Sequence, residues 1–275
     1  MEEPGKFSGR VVLITGGSSG IGLETGKLLS QQGAHVWLVA RDKDRMELAL
    51  REVEGVRRSP DQRLGAVIAD VTDMNQAARA VAEVTETCGS LDILINSAGT
   101  VYPGLFQDTE IAVMRHLMEV NYFGTVLMTR ASLSSMVARR QGYIVNISSV
   151  YGFIGGYGYS GYCASKFAIR GFTDALRAEL RPLGIGVSIV FPQNTATPQL
   201  EYENKLKPDV VRALDNTRVM SPQDVARAIV RGIARRQYVI IPGTEGRLLF
   251  WLSGLSTTVL YWTLDRLVER ALSKA

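Results

Sequence analysis

The sequence predicts an α/β fold in which a doubly wound, mostly parallel seven-stranded sheet carries helices on both faces. Short apolar segments rich in β-branched residues alternate along the chain with segments of helical periodicity, which is typical of a parallel sheet wound on both sides. A length of 275 residues suits one large domain. The hydrophobic fraction of 46% and the charged fraction of 21% are those of a folded globular protein.

Seven segments are short and almost wholly apolar, as expected of strands whose sheet is covered on both faces. These segments are RVVLIT (10–15), HVWLVA (35–40), LGAVIA (64–69), LDILIN (91–96), YIVNIS (143–148), GVSIVF (186–191) and QYVIIP (237–242). Helical periodicity fills the intervals at 21–31, 43–53, 75–87, 113–139, 163–183 and 222–235. Residues 1–242 are therefore predicted to form one domain.

The segment 192–220, PQNTATPQLEYENKLKPDVVRALDNTRVM, interrupts this alternation. A long irregular segment at the carboxyl end of a strand lies where open α/β sheets bind their ligands. We therefore expect this segment, called the lid below, to cover a substrate.

Composition excludes several classes of function. The net charge of +4 is not concentrated in a basic stripe, so no nucleic-acid partner is expected. Cys88 and Cys163 are too few for a disulfide framework and fit a reducing compartment. His35 and His116 stand apart from other ligand residues, so no metal site is expected. The N-terminal MEEPGKFSG has no apolar run, so we expect no cleaved secretory signal.

A glycine-rich loop, LITGGSSGIG (13–22), follows the first strand and opens the first helix. Its glycines permit a tight turn and close approach of a pyrophosphate, which then meets the free amides and the positive end of the helix. This position between strand and helix predicts a Rossmann-type dinucleotide site. The residues assigned to it are Gly16, Ser18, Ser19, Gly20, Ile21 and Gly22.

The end of the second strand indicates which dinucleotide is bound. An acidic residue there would bond the ribose hydroxyls of NAD and repel a 2′-phosphate. The chain instead has Arg41, with Arg45 one helical turn later, and a guanidinium suits a phosphate. This predicts NADP(H), although Asp42 places an opposing charge nearby. The alternative is that both arginines are solvated residues at the start of a helix.

Two further strand ends are expected to contact the cofactor. Asp70 and Val71 follow the third strand, where they would flank the adenine. The fourth strand leads into Asn96, Ser97, Ala98 and Gly99. Small residues at this point would let the cofactor approach.

The sequence SSVYGFIGGYGYSGYCASKFAIRGF carries the residues suited to proton transfer. Tyr162 and Lys166 are four residues apart on a predicted helix and share one face. A nearby ammonium is expected to lower the pKa of the phenol, which makes it a usable proton donor and acceptor. Ser149 ends the preceding strand, and Asn121 is a polar residue among apolar neighbours that requires hydrogen-bond partners.

The glycine loop, the INSAG sequence and the order and spacing of Asn121, Ser149, Tyr162 and Lys166 resemble the short-chain dehydrogenase/reductase family. The resemblance runs from the N-terminus to about residue 241. It implies a reductase that forms a homodimer or homotetramer through the long helices that hold Asn121 and Tyr162.

The resemblance also implies a role for each of these four residues, called the tetrad below. Tyr162 would protonate the developing alkoxide, and Ser149 would orient and polarise the carbonyl. Lys166 would lower the pKa of the tyrosine and hold the nicotinamide ribose, while Asn121 would anchor a water in the proton relay. We assign Ser149 rather than Ser148 because its spacing to Tyr162 matches the family pattern.

One departure from the family pattern follows the sixth strand, where Pro-Gly is replaced by Pro192-Gln193. Loss of the glycine restricts the backbone beside the nicotinamide. Pro192 stays a predicted cofactor contact, and Thr195 and Thr197 are available for the carboxamide or the phosphates.

A narrower resemblance is to 3-ketodihydrosphingosine reductases. The sequences YCASKFAIRGFTDALRAEL and TATPQLEYENKLKP and the apolar C-terminal residues carry it, and within the lid it rests on Glu203, Asn204, Lys207 and Pro208. It implies NADPH-dependent reduction of the C3 ketone of a long-chain amino-ketone to a secondary alcohol. Glu201 or Glu203 is then a candidate partner for the substrate ammonium, and the alternative is that both are solvated loop acids.

Two other functions stay open at this point. One is reduction of another lipid ketone, such as a 3-oxoacyl thioester or a steroid, because the tetrad is common to the whole family. The other is a non-catalytic protein that senses the nicotinamide pool, although such a protein has no need of Tyr162 with Lys166.

Residues 243–275, called the C-terminal segment below, contain no charge between Arg247 and Asp265. One helical stripe holds Leu248, Trp251, Leu255, Val259 and Trp262. The uncharged run spans about 26 Å as a helix, short of the roughly 30 Å hydrocarbon core.

A helix, or a helical pair broken near SGLSTT (253–258), therefore fits one leaflet of a bilayer better than a full span. The alternative is that the segment packs on its own domain or on a dimer mate. We expect an intracellular protein, on the cytoplasmic side of a membrane in the first case and in the cytoplasm in the second.

Overall fold

A computed structural model describes residues 6–215 and 218–273 of the chain. The first five residues, Asn216, Thr217, Lys274 and Ala275 lie outside the described residues. Three parts of the sequence predictions therefore lie outside the described residues. They are the extreme N-terminus, two positions of the lid and the end of the C-terminal segment.

The described residues form one seven-stranded sheet with the order β3-β2-β1-β4-β5-β6-β7. Every strand pair in it is parallel. The strands are β1 Val11–Thr15, β2 His35–Ala40, β3 Leu64–Ile68, β4 Ile93–Asn96, β5 Gly142–Ile147, β6 Ile185–Val190 and β7 Val239–Ile240. The predicted doubly wound α/β fold is confirmed.

Eleven α-helices accompany these strands within the described ranges. They are α1 Gly20–Gln31, α2 Lys43–Gly55, α3 Met74–Cys88, α4 Ile111–Leu117, α5 Gly124–Arg139, α6 Ser160–Leu180, α7 Pro198–Leu206, α8 Asp209–Leu214, α9 Pro222–Ala234, α10 Thr244–Leu255 and α11 Thr257–Leu272.

Successive residues of β1 belong to opposite core layers. Val12 and Ile14 pack in the cluster that includes residues of α1, α2 and α9. Val11 and Leu13 pack in the cluster that includes residues of α3, α5 and α6. Side chains alternate across a strand, so an almost wholly apolar strand is what a sheet covered on both faces requires.

The predicted helix 113–139 is in fact three elements. A π-helical turn, Met118–Phe123, separates α4 from α5. Asn121 lies in this turn with its side chain fully buried and bonded to two other elements. A π turn inside a helix often marks a functional site, and here it positions a tetrad residue.

The prediction that the lid is irregular was wrong, because most of it is helical. Thr197 caps α7 by accepting a hydrogen bond from the amide of Leu200, and Pro198 occupies the first turn, which favours helix initiation. The helix ends at Leu206, and its C-cap Lys207 is not helical, as expected because proline disfavours helical geometry in the residue before it. Helix α8 then follows.

The C-terminal segment forms two helices, α10 and α11, separated by extended Ser256. One side of the pair packs on the domain: Leu260 is buried beside Phe153 and Phe191, and Phe250 lies against the same cluster. The hydroxyl of Tyr261 accepts a hydrogen bond of 3.1 Å from the Gly155 amide. Within the described residues, no helix combines the length and hydropathy that crossing a bilayer requires.

Candidate active site

A cleft of about 1010 Å³ opens at the carboxyl ends of the strands and is bordered by the lid helix α7. It brings together most of the residues that the sequence predicts for binding and chemistry. Those that line it are Gly16, Ser18, Ser19, Gly20, Ile21, Gly22, Arg41, Arg45, Asp70, Val71, Ala98, Gly99, Ser149, Tyr162, Lys166, Pro192, Thr195 and Thr197. Asn96 and Asn121 are the two predicted residues that do not line the cleft.

The glycine loop is shaped for close approach. Gly16 has φ +64°, and a Cβ there would lie 2.8 Å from the backbone of Ala98. Gly20 has φ +55°, and a Cβ there would lie 2.8 Å from the methyl of Thr197 in the lid. Ser19 occupies the N-cap position of α1 but makes no side-chain capping bond. The first amides of α1 are therefore left for a phosphate, which fits a nicotinamide dinucleotide.

Arg41 and Arg45 both reach the cleft from the end of β2 and the start of α2. Arg41 forms an ion pair of 3.5 Å with Asp70. Burial raises the pKa of Asp70, but hydrogen bonds from Thr72 and the Arg41 guanidinium outweigh burial and hold that pKa below its usual range. Asp42 caps α2 and pairs with Arg45 at 3.3 Å, so its charge is engaged within the chain.

Asn96 does not reach the cleft, contrary to its assignment as a cofactor contact. Its amide nitrogen donates to Thr129 Oγ1 at 3.1 Å and to Asn146 Oδ1 at 2.8 Å. Because side chains alternate along a strand, the last side chain of β4 points toward α5 and leaves the cleft to the residues that follow. Ala98 is held there by a hydrogen bond from its amide to Thr15 Oγ1.

Tyr162 and Lys166 lie on one face of α6, as their spacing predicts. Both are buried, at 8% and 5% exposure, and the Lys166 ammonium lies 5.6 Å from the centre of the Tyr162 ring. The ammonium donates to the Ile147 carbonyl at 3.2 Å.

The expected lowering of the Tyr162 pKa is not found. Burial raises the pKa of Tyr162, hydrogen bonding with Ser149 opposes it, and the Glu203 carboxylate raises it further. Burial also lowers the pKa of Lys166 to about 8. The reason is desolvation: both side chains prefer their neutral forms when removed from water.

The two adjacent serines point in different directions. Ser148 Oγ donates to the carbonyl of Lys166 at 3.0 Å, which makes it part of the packing of α6 on β5. Ser149 Oγ accepts a hydrogen bond of 3.2 Å from the Tyr151 amide and also interacts with Tyr162. Both serines line the cleft, but of the two it is Ser149 that interacts with the Tyr162 hydroxyl.

Asn121 connects the π turn to two neighbouring segments. Its Oδ1 accepts from the Thr100 amide at 2.8 Å, and its Nδ2 donates to the Thr100 carbonyl at 3.0 Å and to Ser165 Oγ at 2.9 Å. Both amide hydrogens are thus used within the protein. Ser165 precedes Lys166 directly, so Asn121 fixes the segment that carries the lysine.

Comparison with known proteins agrees with this geometry. A family model described as short chain dehydrogenase matches residues 10–207. The chain belongs to this family. As a short-chain dehydrogenase it is an oxidoreductase, and the family and fold imply a nicotinamide cofactor.

Individual relatives cover most of this short-chain dehydrogenase. It is 36% identical over 249 residues to a 3-ketodihydrosphingosine reductase of Mus musculus, with 90% of this chain and 75% of the relative covered. It is 35% identical over 256 residues to dehydrogenase/reductase SDR family member 7B of Xenopus laevis, with 91% and 79% covered. The crystal structure of levodione reductase superposes with a TM-score of 0.80 at 27% identity, covering 88% of this chain and 99% of that one.

The departure at Gln193 causes no backbone strain in this short-chain dehydrogenase. Among the described residues other than glycine, positive φ values occur at Arg140 and Arg236 and not at Gln193. The Gln193 amide nitrogen donates to the Arg218 carbonyl at 3.4 Å, which ties this loop to the end of the lid. The loop therefore does not depend on the freedom of a glycine.

An aromatic wall that the sequence did not predict lies beside Tyr162. The ring centres of Tyr151 and Tyr159 each lie 6.3 Å from that of Tyr162, and both side chains line the cleft. Tyr159 donates a hydrogen bond of 2.5 Å to Glu203 of the lid. The only signal in the sequence was the density of tyrosines before Tyr162, which does not identify a partner 44 residues away.

The lid residues Glu203 and Lys207 are buried, not solvated. Lys207 pairs with Glu203 at 3.0 Å, forms an ion pair with Asp215 and donates to Asn204 Oδ1 at 2.9 Å. The alternative that Glu203 is a solvated loop acid is therefore wrong, whereas Glu201 is exposed. This network fastens α7 and α8 over the aromatic wall.

Proposed function

We propose that this protein reduces the C3 ketone of 3-ketodihydrosphingosine to dihydrosphingosine with NADPH, as a step of sphingolipid synthesis. The observation that carries the proposal is the combination of a buried Ser149–Tyr162–Lys166 site with a lid that holds a buried carboxylate, Glu203, at the edge of the same cleft. Similarity to 3-ketodihydrosphingosine reductases over most of the chain supports this substrate.

Each residue of the site has one task in this reaction. The nicotinamide, when bound, supplies a hydride to the carbonyl carbon. Ser149 donates a hydrogen bond to the carbonyl oxygen, and Tyr162 transfers its hydroxyl proton to that oxygen as negative charge develops. Lys166, with its ammonium 5.6 Å from the Tyr162 ring centre, stabilises the tyrosinate that is left.

We assign Asn121 a positioning role in place of the water-anchoring role that the family resemblance implies. Its side-chain amide hydrogens already bond Thr100 and Ser165. Its contribution is to hold the π turn against α6 so that Lys166 faces Tyr162.

NADP(H) is the proposed form of the cofactor. The Arg41 side chain is 65% exposed at the end of β2 and Arg45 is 67% exposed beside it, so both guanidinium groups can reach a 2′-phosphate. An arginine fork matches the geometry and charge of a phosphate better than an ammonium does.

The C-terminal segment supports contact with one leaflet of a membrane. Its outer side exposes large apolar side chains, between 59% and 77% accessible: Leu248, Trp251, Leu255, Val259 and Trp262. Its inner side packs on the domain, so packing on the protein leaves the apolar outer side available for the proposed membrane contact. Such a surface suits the cytoplasmic face of a membrane, where a long-chain ketone resides.

A homodimer or homotetramer through the long helices is also proposed. The π turn and α6 pack on each other within the chain, and Tyr122 contacts Phe172 edge to face at 6.1 Å. Phe123 and Phe167 are 43% and 40% exposed on these same two elements. Large apolar side chains at the surface of packed helices favour burial against a second copy.

The reaction is tested with the full chain, NADPH and 3-ketodihydrosphingosine in mixed micelles, with the product identified by mass spectrometry. Dihydrosphingosine should form with one equivalent of NADPH oxidised. Tyr162→Phe keeps the ring but removes the proton, so turnover should fall by about 10²- to 10⁴-fold while NADPH binding is retained. Absence of product from the wild type, or near-normal turnover in the variant, would refute the proposal.

A further inference from the structure

We propose that Glu203 is the residue that recognises the substrate's amino group, with one carboxylate oxygen committed to the protein and the other receiving a protonated amine. The inference rests on the proposed function and deepens it, because it names the chemical class that the site selects: an α-amino ketone over a plain ketone. Glu203 is then a specificity-determining residue located on the lid.

The two oxygens of Glu203 have different surroundings. Oε1 accepts the hydroxyl of Tyr159 at 2.5 Å and lies 3.0 Å from the Lys207 ammonium. Among the described residues, no hydrogen bond or ion pair reaches Oε2. Glu203 lines the cleft and is 9% exposed. Oε2 is not among the fully buried side-chain atoms that lack a hydrogen-bond partner, so it is accessible, and a cationic donor in the cleft would gain both a charge partner and a hydrogen bond there.

Glu203 shares its buried ammonium partner with a second carboxylate. The Lys207 side chain is 2% exposed and contacts two carboxylates, Glu203 and Asp215. The Arg212 guanidinium lies on the outer side of this group and bonds the carbonyls of Asn204 and Lys207, not a carboxylate. Lys205 also lines the cleft, but it is exposed and solvent screens its charge. The Lys207 ammonium is therefore shared between Glu203 and Asp215 and does not serve Glu203 alone.

The position of Glu203 suits an amino group next to the reacting ketone. Its partner Tyr159 has its ring centre 6.3 Å from that of Tyr162, and all three residues line the same cleft. In an α-amino ketone the nitrogen is attached to the carbon beside the carbonyl, so the two groups must be recognised side by side. The Glu203 charge also raises the pKa of Tyr162, and an ammonium bound at Oε2 would reduce this effect.

Glu201 is a matched control on the same helix. It carries the same charge and lines the same cleft, yet it is exposed and has no partner in the lid network among the described residues. Because water screens an exposed carboxylate, its contribution to recognition of an ammonium is expected to be small. Glu203→Gln retains an oxygen that can accept from Tyr159 but removes the charge.

The test compares kcat/KM for 3-ketodihydrosphingosine with that for the same ketone lacking the amino group, in the wild type, Glu203→Gln and Glu201→Gln. The wild type should prefer the amine by at least about tenfold, the effect of one charged hydrogen bond. Glu203→Gln should lower this preference by about tenfold or more, and Glu201→Gln by less than about threefold. An unchanged preference in Glu203→Gln, or an equal loss on both ketones, would overturn the assignment while leaving the reductase function in place. If the wild type reduces neither ketone, the proposed function and this inference both fail.

A second measurement needs only the wild type. Dihydrosphingosine and its analogue with hydroxyl in place of the amine are compared as inhibitors at pH 7. The amine should inhibit at an at least tenfold lower concentration, since the alcohol brings no charge to Glu203. Equal inhibition by the two would also overturn the assignment.

Discussion

Arg41 and Asp70 form an ion pair of 3.5 Å across the carboxyl ends of β2 and β3, at the edge of the cleft. The arginine side chain is 65% exposed and the aspartate 30%, so the guanidinium keeps open donors while one side is held. An arginine has five N–H donors, and a partner on one side orients the remainder. The pair therefore presents a prepositioned guanidinium where the second strand meets the cofactor.

Replacing Arg41 by Ala should raise the KM for NADPH by about 10- to 100-fold and change the KM for NADH little, because the lost contact involves only the 2′-phosphate. Arg41→Asp should shift preference further toward NADH, since it adds a carboxylate beside Asp70. Arg45→Ala is the comparison, with a smaller effect expected because Arg45 lies one helical turn beyond the end of β2. Steady-state kinetics with both cofactors checks this, and a wild type that is faster with NADH at equal concentration would contradict it.

The architecture and most of the cleft were predictable because they depend on local pattern. Short stretches of sequence are enough to predict strand burial on both faces, the glycine loop between strand and helix, and the shared face of Tyr162 and Lys166. Two details could not be predicted from the sequence. The direction of the Asn96 side chain depends on which face of β4 it occupies, and the pKa of Tyr162 depends on burial by segments distant in sequence.

The lid illustrates the same limit. Its composition marked an interruption of the strand–helix alternation, and the four-residue spacing of Glu203 and Lys207 is visible in the sequence, but the hydrogen bond from Tyr159 to Glu203 joins residues 44 positions apart. The Thr197 cap is a local signal for the helix, whereas only the folded chain brings Tyr159 to Glu203.

Removing the Lys166 charge should stabilise the cofactor-free protein at neutral pH. Burial lowers the pKa of Lys166 from 10.5 to about 8, so below pH 8 the folded chain carries a buried ammonium that is less favourable than in the unfolded chain. As pH rises from about 8 toward 10.5, the folded chain loses this proton first and the cost disappears. The shift corresponds to about 3 kcal/mol at about 1.4 kcal/mol per pKa unit.

Lys166→Met should therefore be inactive yet more stable than the wild type at pH 7, by on the order of 2 kcal/mol once the lost bond to the Ile147 carbonyl is included. The gain should be smaller at pH 9.5. Urea unfolding at the two pH values measures the free energy of unfolding of both proteins. A variant that is less stable by the same amount at both values would contradict the burial cost.

The exposed side of the C-terminal segment should control binding to vesicles. Changing Trp251, Leu255 and Trp262 together to Ser removes apolar surface that is exposed in the fold, so vesicle binding should weaken by more than about 100-fold with the melting temperature nearly unchanged. Co-sedimentation measures the binding. Serine at Leu48, Met74 and Phe106, which are equally exposed elsewhere, is the control and should leave binding intact.

Truncation after Gly246 is expected to give a different result from this triple variant. It also removes Leu260 and Phe250 from their packing on the domain, so it should lower the melting temperature as well as abolish vesicle binding. A full-length protein that stays in the supernatant with vesicles would refute the membrane contact and leave the segment a structural role only.

Oligomerisation should depend on Phe167. This side chain is 40% exposed on α6, and Phe167→Glu would place a charge in the proposed contact between copies. Light scattering at micromolar concentration should give at least a dimer for the wild type and a smaller mass for the variant, with Leu48→Glu unchanged. A strictly monomeric wild type would contradict the proposal.

The most direct test of the account is a side-by-side measurement of kcat/KM for NADPH oxidation with 3-ketodihydrosphingosine, a 3-oxoacyl thioester and a steroid ketone, all presented in the same micelles. The account predicts that 3-ketodihydrosphingosine is preferred by at least about tenfold, because it alone brings an ammonium to the lid carboxylate. Equal or faster turnover of either other ketone would contradict that substrate. Binding of NADPH without oxidation in the presence of any of the three would contradict the reductase itself.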